Sequence, residues 1–539
     1  MTGPLLNRRS FLTKTGLLVA GSALGSPLVG CSEYDLTIPC LGPAAAPAPV
    51  AGMTYIRASQ IGCALDCDLG NGHNKNTGGA ATDDGPRINA AMAGASASNP
   101  ITLIIDGSAL ISGLFLPAGG YWNIAGLGCG TGFYVKTGTN NDGIHNGPPN
   151  AAIPSDPGPP VPPRGSSVSL RNFALNGNAG NGHDGNSTTG ATQGDYKVTW
   201  YFGINLMNLD DIVIENLAVV NTCAYHIRLS NVGHASVSGC VLQSEGPNTD
   251  GIHVDGPAND IAVSNCNITT DDDAIAFNCP EGESGDISRV TVSNCKVNST
   301  SLMRLDTIAY NGAPNKFNID TVSVSNCSGI CAFTGFFIGD GAGANPNSIT
   351  NVTISDCNLR APAMLDVGAN FGNITLNNVI LSPYNSIEPP GFAFLRTSKF
   401  LKDGTYVGSN LTLNNCVINR DRNVDFAGFI IESGSAISNL VLNGFSVTDA
   451  GSYSPARDLL QFPLGSIGQV VINTVESSHI LTAASARGFA NITTVSGTGV
   501  LATGWKFPDA VMANGVAYIS ANSGLPSIKI NGLVELYGG

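Results

Sequence analysis

The chain has 539 residues, a formal net charge of −14 and only 12 % charged residues, about half the usual share. Its 42 % hydrophobic content argues against a disordered chain, and an acidic balance with no Lys/Arg block beyond the N-terminus argues against a nucleic-acid partner. No run of 18 apolar residues follows the first thirty, so nothing there reads as a membrane-spanning helix.

The chain opens on an address. Asn7-Arg8-Arg9-Ser10-Phe11-Leu12 precedes a modest apolar stretch, Gly16 to Gly30, and resembles a twin-arginine export signal; an ordinary secretory signal with two basic residues is the alternative. Leu28-Val29-Gly30-Cys31 resembles a bacterial lipobox, in which Cys31 would become the lipidated first residue of the mature protein. The lipid would anchor the protein without spanning the membrane. Residues 1–30 are therefore expected to be a signal. Residues 31–54, Ala/Pro/Gly-rich over 41–52, are expected to be a tether. Exported chains with 14 Cys commonly hold disulfides, but the twin-arginine route carries proteins folded in a reducing cytoplasm. Buried free thiols are therefore expected, with Cys63 and Cys67 as the one candidate bridge.

Asp83-Asp84-Gly85 leads into a predicted short capped helix over Pro86–Ala95. It is placed to cover the open edge of the strands that come after it. Two long loops, 146–164 and 176–196, are expected to line a working face. Then a strand triplet recurs: Ile212-Val213-Ile214, Ala235-Ser236-Val237, Ile261-Ala262-Val263, Val290-Thr291-Val292 and Val322-Ser323-Val324. It continues through Val352, Ile374, Leu411, Leu440 and Val470, in steps of 22 to 37 residues. Apolar ends around a small or polar middle follow the strand period of two. Asn265-Cys266, Asn294-Cys295, Asn326-Cys327, Asp356-Cys357 and Asn415-Cys416 follow the triplets. They read as stacked amides and small apolar fillers. One strand and its turns per step make a parallel β-helix, an all-β solenoid. It is assigned to residues 55–504, with 505–539 as a C-terminal cap.

A second triplet series precedes the first in each coil, from Ile204-Asn205-Leu206 to Leu365-Asp366-Val367. With the outer members pointing inward, the middle ones form one outward column: Asn205, Arg228, His253, Ala276, Arg304, Phe337 and Asp366. Four of these seven are charged or ionisable, which marks the floor of a groove. Asp250 stands at the start of one groove strand, and Asp271-Asp272-Asp273 at the start of the next. Neighbouring coils would hold these carboxylates roughly 5 Å apart. Such crowding raises one pKa and leaves an acid beside a carboxylate, the pair that glycoside hydrolysis needs. Spacing alone equally fits an Asp-rich turn ladder or a calcium site.

Asn248-Thr249-Asp250-Gly251-Ile252, followed about one coil later by Asp272-Asp273-Ala274-Ile275-Ala276, resembles the two leading motifs of the family-28 glycoside hydrolases, the polygalacturonases. The resemblance covers about residues 55–500. It implies the right-handed parallel β-helix of the pectin-lyase-like superfamily, Asp250, Asp272 and Asp273 as catalytic carboxyls, and inversion at the anomeric carbon. Asp273 is expected as the proton donor, and Asp272 or Asp250 as the base. Two family features are replaced. The Gly-His-Gly position falls at Thr300-Ser301-Leu302, and the Arg-x-Lys that holds a substrate carboxylate falls at Phe337-Ile338-Gly339. Arg228 and Arg304 could rebuild the carboxylate grip, Phe337 could offer a sugar-stacking platform, and His253 could tune the acid. The expected protein is thus an exported, lipid-anchored, monomeric polysaccharide hydrolase on a pectin-like or other glycan, with no cofactor or metal. The alternatives are a calcium-dependent lyase with Arg304 as base, and a non-catalytic glycan-binding solenoid.

Overall fold

The computed structural model describes residues 42–117, 121–147, 163–179, 201–279, 284–307, 317–341, 348–384, 393–397, 406–420, 430–431 and 435–449. It also describes the backbone of 457–461, 466–476, 480–484, 492–496, 510–513 and 516–519. Arg8, Arg9 and Cys31, the centre of each expected loop and most of the expected C-terminal cap lie outside these residues.

The strands from Thr54–Arg57 to Ile492–Ser496 form one 34-stranded ladder whose pairings are all parallel. It winds as a right-handed β-helix, the hand that parallel crossovers adopt. The ten triplets fall in one register column, Ile212 opposite Ala235, then Ile261, Val290, Val322, Val352, Ile374, Leu411, Leu440 and Val470. The apolar ends of the nine triplets from Ile212 to Leu442 are buried in a single core that runs along these coils.

The Asn-Cys pairs mark a corner. Asn216, Asn265, Asn294, Asn326, Asp356, Asn378 and Asn415 all have φ between 51° and 56°, and Gly239 and Gly444 take the same turn at 64° and 77°. Cβ disfavours the left-handed region; Gly has none, and Asn and Asp tolerate it best through local side-chain hydrogen bonds, so these residues recur there. The amides also stack, as from Asn415 Nδ2 to Asn378 Oδ1 at 3.2 Å. The next residue points inward. Phe173, Leu217, Cys240, Cys266, Cys295, Cys327, Cys357, Val379 and Cys416 succeed one another along the core, each linked to the next coil by a backbone hydrogen bond. Leu, Val and Phe fill the same slot, so the cysteines there act as small core side chains. Burial pushes the Cys416 thiol up to about 12.

Three expectations change. Cys63 and Cys67 are both free thiols, because Cys63 faces the main core while Cys67 packs with Leu69, Leu110 and Tyr134 in a separate cluster. Cys129 is disulfide-bonded, and its partner lies outside the described residues. The helix spans Gly85–Met92 and buries Ile88 and Met92, but Asp84 does not cap it: its carboxylate accepts the N–H groups of Ala64 and Leu65 at 2.8 and 2.9 Å. Finally, a described stretch of the expected tether lies against the solenoid, Ala44 N–H donating to the Leu127 carbonyl and Cys129 N–H to that of Gly42. No helix of the described residues is long and apolar enough to cross a membrane.

Candidate active site

The outward column forms in the expected order. Asn205 pairs with Arg228, Arg228 with His253, His253 with Ala276, Ala276 with Arg304, Arg304 with Phe337 and Phe337 with Asp366. His145 extends it at one end and Arg396 at the other. Outward does not mean solvent-exposed, however. Asn205, Arg228, His253, Ala276 and Phe337 are each 0 % exposed, and Arg304 is only partly exposed.

The three acids come together where three successive coils meet. His226 N–H donates to the Asp250 carbonyl and Gly251 N–H to that of Asp273, which sets the two strand starts side by side. Asp273 pairs in turn with Ser301 on the next coil. Each carboxyl has different partners. Asp250 lies 2.7 Å from His253 Nδ1. Asp272, half-buried, accepts the N–H of Asn248 and of Asp273, each at 3.0 Å. Asp273 accepts the Ser301 hydroxyl, and its other oxygen is 3.7 Å from Arg304. Ser301, at the position where the resembled motif has a histidine, holds Asp273 in place through its hydroxyl.

Behind Asp250 runs a buried charge chain. His253 Nε2 is 3.1 Å from Asp255, and Asp255 accepts from Arg228 Nε at 2.8 Å. Arg228 also donates to Asn205, which donates to Asp142. Burial raises the pKa of Asp142. The imidazole of His253 stacks on Tyr225 at 4.0 Å and 6°, and Tyr225 on Phe202. Next to this chain His226 is fully buried, its Nδ1 3.0 Å from the Asp250 carbonyl, and burial pushes its imidazole down to about 4.

The expected binding residues therefore take other parts. Arg228 is committed to Asp255 inside the protein. Arg304 donates from Nε to Asp306 at 3.1 Å and also from Nη2. Phe337, expected as an open stacking platform, is buried with Arg304 5.4 Å above its ring. Asp255 and Asp306 escape the triplet pattern. Each lies two residues beyond a column member, His253 or Arg304, so extending the strand period by one step finds both. No group of three or more His, Cys, Asp or Glu among the described residues is arranged to hold a metal ion.

Among solved structures, a family 28 exopolygalacturonase of Yersinia enterocolitica is similar to the chain, with a TM-score of 0.52 at 12 % identity over 78 % of both chains. The chain shares its right-handed parallel β-helix fold with that enzyme. The tailspike protein of E. coli bacteriophage HK620, solved in complex with a pentasaccharide, is similar with a TM-score of 0.50 at 10 % identity, over 84 % of this chain and 77 % of the tailspike. At such identities the likeness concerns the backbone alone. No family model and no curated protein matches the sequence.

Proposed function

We propose that the protein is an exported, lipid-anchored glycoside hydrolase that cleaves a polysaccharide with Asp250, Asp272 and Asp273. The observation that carries this reading is the convergence of the three carboxyls from adjacent strand starts, each with its own partners. Asp272 accepts two backbone N–H groups, contacts that suit an ionised base. Both ring nitrogens of His253 face carboxylates, so the imidazole donates to both only as a cation; in that state it leaves Asp250 ionised. Asp272 or Asp250 then activates the attacking water, and Asp273 supplies the proton to the leaving oxygen. The motif resemblance and the shared fold favour inversion.

The test is a product assay on a polysaccharide panel, with and without a chelator. Asp250→Asn, Asp272→Asn and Asp273→Asn should each lower turnover by roughly 10²- to 10⁴-fold, with melting midpoints little changed and chelator without effect. Turnover retained in all three variants would defeat the assignment. Unsaturated products, and activity restored by calcium after chelation, would replace it with the lyase.

A further inference from the structure

The charges along the groove are accounted for within the chain. Three guanidinium groups stand on the column among the described residues, and each is paired with an aspartate of this protein: Arg228 with Asp255, Arg304 with Asp306 and Arg396 with Asp366. Asp255, Asp306 and Asp366 are at most 1 % exposed. Arg228 is sealed with its partner, and Arg304 is shared further with Asp273. The position where the resembled family carries its carboxylate-binding cations holds Phe337, Ile338 and Gly339, with the Phe337 ring under Arg304.

Among the described residues next to the acids, the rim is negative as well. Glu245 and Asp271 are exposed beside the acids, of which Asp272 is itself half-exposed, and Asp271 is tied to the chain by the Gly246 N–H at 2.8 Å. Partial burial first, and repulsion by Asp271 second, push the Glu245 carboxyl up. A polyuronate carries one carboxylate per sugar. Bringing it here would set like charges together with every column guanidinium already engaged, a juxtaposition that is strongly unfavourable.

We propose that the substrate is an uncharged polysaccharide and that polyuronates are excluded. This deepens the hydrolase reading and rests on it. The paired arginines keep the floor rigid and neutral, and the acidic rim repels anionic glycans, so recognition falls to hydroxyl groups.

The test compares uncharged galactan and arabinan with polygalacturonate, using the wild-type protein at low ionic strength. An uncharged polymer should be cut with kcat/KM on the order of 10²-fold or more above that for polygalacturonate. Comparable or preferred cleavage of polygalacturonate overturns the inference and leaves the hydrolase reading intact. If nothing is cut, immobilised oligosaccharides are probed with Asp273→Asn. Binding of uncharged ones alone keeps the inference and ends the hydrolase reading; binding of uronates, or of nothing, ends both. Asp306→Asn supplies the converse: with Arg304 released, salt-sensitive polygalacturonate binding should appear that the wild type lacks. A folded Asp306→Asn with unchanged rejection of polygalacturonate shows that arginine pairing is not what excludes it.

Discussion

His226 ties the stability of the site to pH. It lies buried against the Asp250 carbonyl, and burial pulls its pKa from 6.5 to about 4. In the unfolded chain the imidazole takes up its proton as the pH falls through 6.5, while the folded protein resists until about pH 4. The unfolded state therefore binds more protons in that window, and stability is lost as the pH falls. The full difference is worth about 3 kcal/mol, of which roughly 2.5 kcal/mol is lost between pH 7.5 and pH 4.5. Asp142 works in the opposite sense, since its pKa is raised by burial and acid favours its folded form. Comparing wild type with His226→Asn removes that contribution, provided the two sites do not couple. Asn keeps a donor near the Nδ1 position and cannot be protonated. Urea unfolding at both pH values should show the wild type losing roughly 2.5 kcal/mol more than the variant on acidification. Equal losses would mean that His226 charges freely in the fold, and the burial argument would be refuted.

Other consequences can be measured alongside. Cys266→Ala and Cys295→Ala each remove a sulfur from the packed corner column and should lower stability by about 1–2 kcal/mol; unchanged melting midpoints would contradict core packing. Thr321 is exposed yet holds φ 58°, in line with Asp260, Arg289 and Asn351 at the other corner, and a β-branched residue is strained there. Thr321→Asn should therefore raise stability by about 1 kcal/mol, read as a higher melting midpoint. Replacing Arg8 and Arg9 by Lys should retain the protein in the cytoplasm, and Cys31→Ala should release it from membranes; fractionation showing normal export of the first, or membrane retention of the second, would contradict the address.

The corner and the column were legible because each obeys a strict period. An apolar residue every second position and an Asn, Asp or Gly once per coil leave few other foldings for Ile212 to Val470. The three acids were legible for the same reason, Asp250 standing at one strand start and the neighbours Asp272 and Asp273 one coil later at the next. Side-chain partners were not. The pairing of Arg304 with Asp306 depends on reach across two residues of one strand, which a column of middle positions overlooks. The burial of Phe337 and Arg228 depends on what lies above the sheet, and strand period reports direction without cover. Asp84 shows the same limit at the helix: Asp before Gly-Pro reads as a cap, yet the amides of Ala64 and Leu65 compete for the same oxygens and win.

The acids occupy two successive coils and lean on a third through Ser301 and Arg304, and each coil of such a stack touches chiefly its neighbours. Cleavage and grip are therefore separable parts. In the proposed hydrolase, duplicating or deleting a coil well away from Asp250–Asp306 would change how many sugars a groove along the stack could accommodate, in increments of roughly 4.8 Å, while the proposed carboxyls keep their mutual positions.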